Sequence, residues 1–233
     1  MNKFSLVIPC YNESKSLPLL FKLCKNLVKN KNIEIIIVDN GSTDDTQLFF
    51  TNNKKKYNFI KLVSLPTNNG YGYGIVEGLK RATGDVLSWT HADIQTNPMD
   101  VLEGYKFFEN EKNTDKIFVK GLRYGRPLKD KIFTVFMSLF ESIYFRKFLW
   151  DINAQPTIFP KSFFLKWKNP PNDFSLDLYA YYFATVNEMK IKRFDVKFGK
   201  RKYGVSSWNI NWKSKFKFIE RTIKYSLKLK KRI

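Results

Sequence analysis

The sequence predicts an α/β protein built on one mostly parallel sheet with helices on both faces, followed by an amphipathic, basic helical region at the C-terminus. Three observations carry this expectation. Over the first 120 residues, short β-branched runs alternate with helical stretches, the order that produces a parallel sheet covered by helices. The run Ile35-Ile36-Ile37-Val38 is apolar at every position, as a strand packed between two helical layers requires. From Met189 to Ile233, sixteen Lys and Arg stand against only Asp195 and Glu220, so a net charge of +14 out of +20 falls on this last part.

Taken in order, strands are expected over Phe4–Pro9, Ile33–Asp39, Ile60–Ser64, Val86–Thr90 and Ile117–Gly121, each a short β-branched or aromatic run. Helices are expected between them, over Leu17–Lys29, Thr43–Lys55, Gly72–Arg81 and Met99–Asn110. The stretch Ile132–Trp150 is very aromatic and apolar, interrupted by Glu141 and Arg146, and reads as a helix with a wide greasy face. Another helix follows the Pro-Pro-Asn-Asp punctuation, over Phe174–Asn187. A last one, Lys213–Lys231, places Phe216, Ile219, Ile223 and Leu227 on one side and cations elsewhere. Residues 1–205 are therefore expected to form the main α/β domain and 206–233 the basic amphipathic helix.

The 233 residues, 43% hydrophobic and 17% aromatic, suffice for one substantial core. Cys10 and Cys24 make no disulfide framework, and a reduced cytosolic setting is expected. The apolar run Phe4–Ile8 is too short for a signal peptide, and no stretch approaches the ~18 apolar residues of a membrane span. The concentrated basic segment calls for an anionic partner: nucleic acid, or the acidic leaflet of a membrane.

In a parallel α/β sheet, ligands sit beyond the carboxyl ends of the strands, so the residues there are the ones to read. They are Pro9-Cys10-Tyr11-Asn12-Glu13 after the first strand, Asp39-Asn40-Gly41-Ser42-Thr43-Asp44 after the second, and His91-Ala92-Asp93-Ile94-Gln95 after the fourth. Taken singly, Asn12, Ser42, Thr43 and Asp44 are equally good as turn and cap residues. Converging on one sheet edge, the three segments form a candidate site.

These segments resemble family 2 glycosyltransferases of the GT-A fold, and most closely the branch of dolichyl- and polyprenyl-phosphate sugar synthases. The resemblance runs through Val7–Glu13, Ile35–Asp44, Gly70-Tyr71-Gly72 and Ala82-Thr83-Gly84-Asp85. It implies a nucleotide-sugar donor (UDP- or GDP-linked), a divalent metal and inversion at the anomeric carbon. Pro9, Tyr11, Asn12, Glu13, Asp39, Asn40, Gly70 and Ala92 are then expected at the donor. An extended segment would point 91, 93 and 95 the same way, making His91, Asp93 and Gln95 candidate ligands for Mn2+ or Mg2+. His91 stands where the family carries a carboxylate. As a ligand it would favour Mn over Mg; alternatively it hydrogen-bonds the diphosphate.

An anionic lipid phosphate needs positioning and charge shielding rather than a strong base. Arg123, at the end of the fifth strand, matches a family Arg. Arg126 is either a phosphate contact or a solvated surface charge. Arg201, Lys202 and Ser206 resemble the family's late Arg-x-x-Gly-x-Ser motif, which closes over the diphosphate. Asp93, Asp151, Arg123 and Arg201 are the expected catalytic residues, and Asp177 reads as a structural helix residue.

The leading expectation is sugar transfer to a polyprenyl phosphate by a protein peripheral on the cytoplasmic face of a membrane, held by its greasy and basic helices or by a membrane-protein partner. Ordinary core packing explains the greasy helix equally well. Transfer to a sugar hydroxyl of a surface polysaccharide is the alternative. That reaction would need a carboxylate base, with Asp151 and Asp177 as candidates. No nucleic-acid motif is present, so no nucleic-acid partner is expected. A donor-binding pseudoenzyme is motivated only by His91.

Overall fold

The computed structural model describes residues 3–29, 32–111, 113–203 and 212–231. In chain order the elements are β1 (Phe4–Cys10), α1 (Leu17–Leu27), β2 (Ile33–Asn40), α2 (Thr46–Asn53), β3 (Ile60–Leu65), α3 (Tyr71–Lys80) and β4 (Val86–Trp89). There follow α4 (Val101–Glu109), β5 (Ile117–Tyr124), α5 (Leu128–Phe145), β6 (Thr157–Pro160), α6 (Lys161–Phe164), α7 (Leu176–Val186), β7 (Lys190–Lys197) and α8 (Trp212–Lys230).

The seven strands form one sheet in the order β3-β2-β1-β4-β6-β5-β7. Strands β1 to β4 are parallel, β6 runs antiparallel between β4 and β5, and β7 returns parallel to β5. The sheet is buried on both faces. Along β2, Ile35 and Ile37 enter one core with α1, α2 and α4, while Ile36 and Val38 enter the other with α3 and α7. Helix α3 lies close against β1 and β2 because Gly78 has no side chain: a Cβ there would stand 2.4 Å from Val7 Cγ1.

Three expectations change. Strand β6 is only four residues long, follows Pro156 and ends on Pro160, so it reads as a loop; it is nevertheless a central strand. The basic segment from Met189 is not all tail: β7 is the edge of the sheet, with Lys190 and Lys197 outward, the arrangement that discourages further strand pairing. Helix α8 leaves Ile219 and Ile223 of the expected apolar side half-buried. Among its described residues Ser226 and Leu229 are buried, while Phe216 and Leu227 are exposed. The greasy helix begins a turn earlier than expected, directly after Pro127, and ends at Arg146 in the left-handed conformation. No helix of the described residues is long and apolar enough to cross a membrane.

Candidate active site

A cleft of about 470 Å³ opens at the carboxyl ends of β1, β2 and β4, within the usual range for small-molecule sites. Its walls include Pro9, Tyr11, Glu13, Asn40, Gly70, His91, Ala92, Asp93, Gln95, Arg123, Arg126 and Arg201. Twelve of the expected site residues are thus brought together from distant parts of the chain. Asp39 and Asp151 lie just behind the wall, Asn12 and Lys202 lie off it, and Ser206 and the 205/206 boundary fall outside the described residues.

The loops after β1 and β2 are tied to each other. Asn12, in the left-handed conformation, accepts hydrogen bonds at Oδ1 from the backbone N–H of Thr43 (2.8 Å) and Asp44 (3.3 Å), and its own N–H donates to Ser42 Oγ at 3.0 Å. Asn12 therefore acts as the staple between loops, the turn role that Asx side chains commonly fill. Asp44 Oδ1 accepts from Thr46 N–H at 3.0 Å, which delays the start of α2 relative to expectation.

The donor end of the cleft is rich in unmet acceptors. Asp39 accepts from the Ser42 N–H at Oδ1 (3.0 Å), but its buried Oδ2 has no hydrogen-bond partner, and neither does Asn40 Oδ1. Asn40 Nδ2 donates to the Gly70 carbonyl at 2.9 Å. Gly70 holds φ at 108°, and a Cβ there would meet the Asn172 carbonyl oxygen at 2.3 Å, so this turn requires glycine. Buried acceptors without donors are rare and costly, and ribose hydroxyls or a base N–H would supply them.

The segment after β4 is a turn rather than the expected extended stretch. Ile94 is left-handed at φ 58°, and Asp93 Oδ1 accepts from the Gln95 N–H at 3.1 Å. The alternation argument therefore fails, although His91, Asp93 and Gln95 all still reach the cleft wall. Gln95 Nε2 donates to the Gly199 carbonyl at 3.2 Å, tying this turn to the loop after β7. Burial pushes the His91 imidazole below its ordinary pKa, opposed by Asp93 and Asp177. Among the described residues no three His, Cys, Asp or Glu cluster as a ready-made metal cage. A carboxylate and an imidazole do suit a Mn or Mg ion that arrives with a diphosphate, since substrate oxygens then complete its shell.

The opposite end is cationic. Burial tends to raise the Asp151 carboxyl, but Arg123 and Arg126 overcome it and hold its pKa below the usual value. Its Oδ2 accepts from the Arg123 backbone N–H at 2.9 Å and its Oδ1 from the Arg123 guanidinium, with Nε at 3.0 Å. Arg126 Nη2 lies 3.7 Å from the same oxygen. Asp151 is 2% exposed, so it orients two arginines rather than facing the cleft. Arg126 also donates to Thr134 Oγ1 at 2.8 Å, which removes the solvated-charge reading. Arg201 pairs with Glu13, whose other oxygen accepts from Ser16 Oγ at 2.7 Å. The buried Nε atoms of Arg126 and Arg201 have no hydrogen-bond partner.

Four contributors, Lys120, Gln155, Tyr71 and Arg221, escaped the sequence reading. Lys120 is fully buried beneath the cleft, donates to Thr157 Oγ1 at 2.8 Å and lies 3.6 Å from Asp177 Oδ1. Burial lowers its pKa to about 8. Asp177 accepts from Gln155 Nε2 at 2.5 Å, and Gln155 also reaches the Tyr71 hydroxyl at 3.3 Å. Tyr71 stacks between Phe174 (4.6 Å) and His91 (5.5 Å), flooring the cleft with rings. Arg221 comes from α8, its Nε 3.3 Å from Asp173 Oδ2 and its guanidinium 5.6 Å from the Phe174 ring centre. Distant partners of this kind leave no local signal in sequence.

The model of the family described as Glycosyl transferase family 2 matches residues 5–166. A dolichol-phosphate mannosyltransferase of Pyrococcus furiosus is 34% identical over 122 residues, 52% of this chain and 33% of that protein. An undecaprenyl-phosphate 4-deoxy-4-formamido-L-arabinose transferase of Photorhabdus laumondii is 34% identical over 106 residues, 43% of this chain and 32% of that protein. The aligned segments span about a third of these curated relatives. Among solved structures, the glucosyl-3-phosphoglycerate synthase of Mycobacterium tuberculosis with bound UDP superposes with a TM-score of 0.74 at 17% identity, over 98% of this chain and 80% of that one. Its complex with Mn2+, UDP and glucosyl-3-phosphoglycerate gives 0.72 at 15% identity, over 97% and 78%. These likenesses fix the GT-A fold.

Proposed function

The chain belongs to glycosyl transferase family 2, and from that premise we propose that it is an inverting, metal-dependent enzyme moving a sugar from a UDP- or GDP-sugar to a polyprenyl phosphate at a membrane surface. The observation that carries this reading is the polarity of the cleft. Orphaned acceptors, Asp39 Oδ2 and Asn40 Oδ1, lie at the carboxyl end of β2, and orphaned guanidinium donors are Arg126 Nε, beside Arg123 and Asp151, and Arg201 Nε, beside Glu13. A nucleoside answers the first set and phosphates answer the second.

In this mechanism Asp39, Asn40 and the Gly70 turn hold the nucleoside. Arg201 faces the diphosphate, held in place by Glu13. Asp93 and His91 would hold the divalent cation, which when bound neutralises charge growing on the leaving diphosphate. Arg123 and Arg126, locked by Asp151, orient the acceptor phosphate. An oxygen of that phosphate bonds to the anomeric carbon from the face opposite the diphosphate, whose bond to the same carbon breaks, so the configuration inverts. No proton has to move, because the acceptor is already an anion near neutral pH.

Transfer to a sugar hydroxyl would need a carboxylate base. The two sequence candidates for that base, Asp151 and Asp177, both sit in buried ion pairs, which favours the phosphate acceptor. The names of the curated relatives, a dolichol-phosphate and an undecaprenyl-phosphate transferase, point the same way. The test incubates the protein with UDP- and GDP-sugars, Mn2+ or Mg2+, and a short-chain polyprenyl phosphate, with mass spectrometry of the products. A glycosyl phosphate lipid is expected; transfer only to a saccharide hydroxyl refutes the acceptor assignment.

A further inference from the structure

Helix α5 has two unlike faces. On the inner side Phe133, Thr134, Met137, Ser138 and Glu141 line a cavity of about 40 Å³ that also touches Arg123 and Thr222 of α8. On the outer side stand Leu128, Ile132, Phe136, Leu139, Phe140 and Ile143, all exposed, with Phe136 at 69% and Ile143 at 76%. At 100° per residue these six cover an arc of roughly 120° with no polar residue exposed among them except Lys129. Phe148, just past the helix, is 77% exposed. A continuous apolar face of this length is not ordinary surface on a soluble domain.

Charge selects what covers it. Lys129, Lys131, Arg146 and Lys147 are exposed around the stripe, and the acidic residues of α5 are turned away: Asp130 is half-buried and Glu141 is buried. Helix α8 packs beside α5 through Ser226 against Glu141 and through Lys230, whose Nζ donates to the Tyr144 carbonyl at 2.5 Å. It adds exposed Lys224, Lys228 and Lys231. A second copy of this chain, packed face to face, would bring the same lysines together on a molecule of net charge +20. An anionic surface with an apolar interior matches both features.

We propose that the outer face of α5, with its flanking lysines, docks onto an anionic lipid leaflet, with Phe136, Leu139 and Ile143 inserted below the head groups. The inner face of the same helix carries Thr134, which holds Arg126, so docking sets the phosphate-binding end of the cleft against the head-group layer. This last consequence rests on the proposed acceptor; the docking itself does not.

The test is co-sedimentation with vesicles that contain no polyprenyl lipid, made of phosphatidylcholine alone or with phosphatidylglycerol. Partitioning is expected to rise about tenfold or more with phosphatidylglycerol and to fall with added salt. Phe136→Ser/Ile143→Ser, both at exposed sites, should lose about tenfold in partitioning while keeping the wild-type circular dichroism, melting temperature and transfer to a water-soluble short-chain acceptor. Lys129→Gln/Lys131→Gln should lower only the preference for anionic vesicles. Docking is overturned if the wild type ignores both vesicles, if the Phe136/Ile143 variant binds as well as wild type, or if that variant instead abolishes a dimer that forms without lipid. Because the vesicles hold no acceptor, sugar transfer can fail while docking stands, and the reverse.

Discussion

Glu141 should make the stability of this protein fall as pH rises through neutrality. Its carboxyl is buried between α5 and α8, 2.8 Å from Ser226 Oγ, and its second oxygen has no partner. Ser226 Oγ is also 2.9 Å from the Thr222 carbonyl. One hydroxyl proton cannot serve both acceptors, so both contacts are satisfied only when Glu141 is protonated and donates to Ser226. Burial accordingly lifts its pKa from 4.5 to about 7. A raised folded-state pKa means that the folded protein binds the proton more tightly than the unfolded chain. Stability from this group is complete below about pH 4.5 and is lost as pH passes 7. At 1.36 kcal/mol per unit, the loss is about 3 kcal/mol. Urea unfolding of wild type and Glu141→Gln, from pH 5 to pH 8, isolates it, because other titrations cancel in the difference. Relative to the variant, wild type should lose most of that ~3 kcal/mol across the range. A difference that stays flat would refute the protonated, buried carboxyl.

The other predictions concern the cleft. Asp151→Asn should destabilise the fold by about 3 kcal/mol, since it leaves Arg123 and Arg126 uncompensated, and should raise the acceptor KM about tenfold; thermal melts and steady-state kinetics read the two effects. Arg221→Ala should shift stability by less than about 1 kcal/mol, its ion pair being partly exposed, yet weaken substrate binding about tenfold; unchanged KM would mean that α8 does not serve the site. His91→Asp should move the preference from Mn towards Mg, read from the ratio of rates in the two metals; an unchanged ratio excludes a ligand role.

Much of the fold was legible because its signals are local. The all-apolar Ile35–Val38 run could only be a two-sided buried strand, and it sits at β2 with alternate residues in separate cores. What escaped has a physical reason in each case. Four residues that follow one proline and end on another carry too little pattern to announce β6. The alternation in β7 is masked by edge lysines, which keep a sheet border from pairing further. On α8 the Phe216–Leu227 side is conspicuous in the sequence, but Ser226 and Leu229 are the buried residues among those described.

In the site, the strand-end segments converged as their positions required, while side-chain roles shifted. Asp151 was expected at the reaction because it falls where the resembled lipid-phosphate branch carries an Asp; its burial makes it the arginines' anchor. The turn at Ile94 is invisible to a period-two argument, since a single left-handed residue breaks the alternation. Lys120 of β5 supports the cleft through Asp177 and Arg221 of α8 lines it, and contacts over such separations leave no periodicity or spacing to read.

The most direct test of the central claim, that Asp93 holds a divalent cation against the donor's diphosphate, is calorimetric titration of UDP and GDP into wild type and Asp93→Asn, with and without Mn2+. The account predicts that Mn2+ tightens nucleotide binding to wild type, and that Asp93→Asn loses this increment while keeping the metal-free affinity. An Asp93→Asn protein that retains the full Mn2+-dependent gain would contradict it.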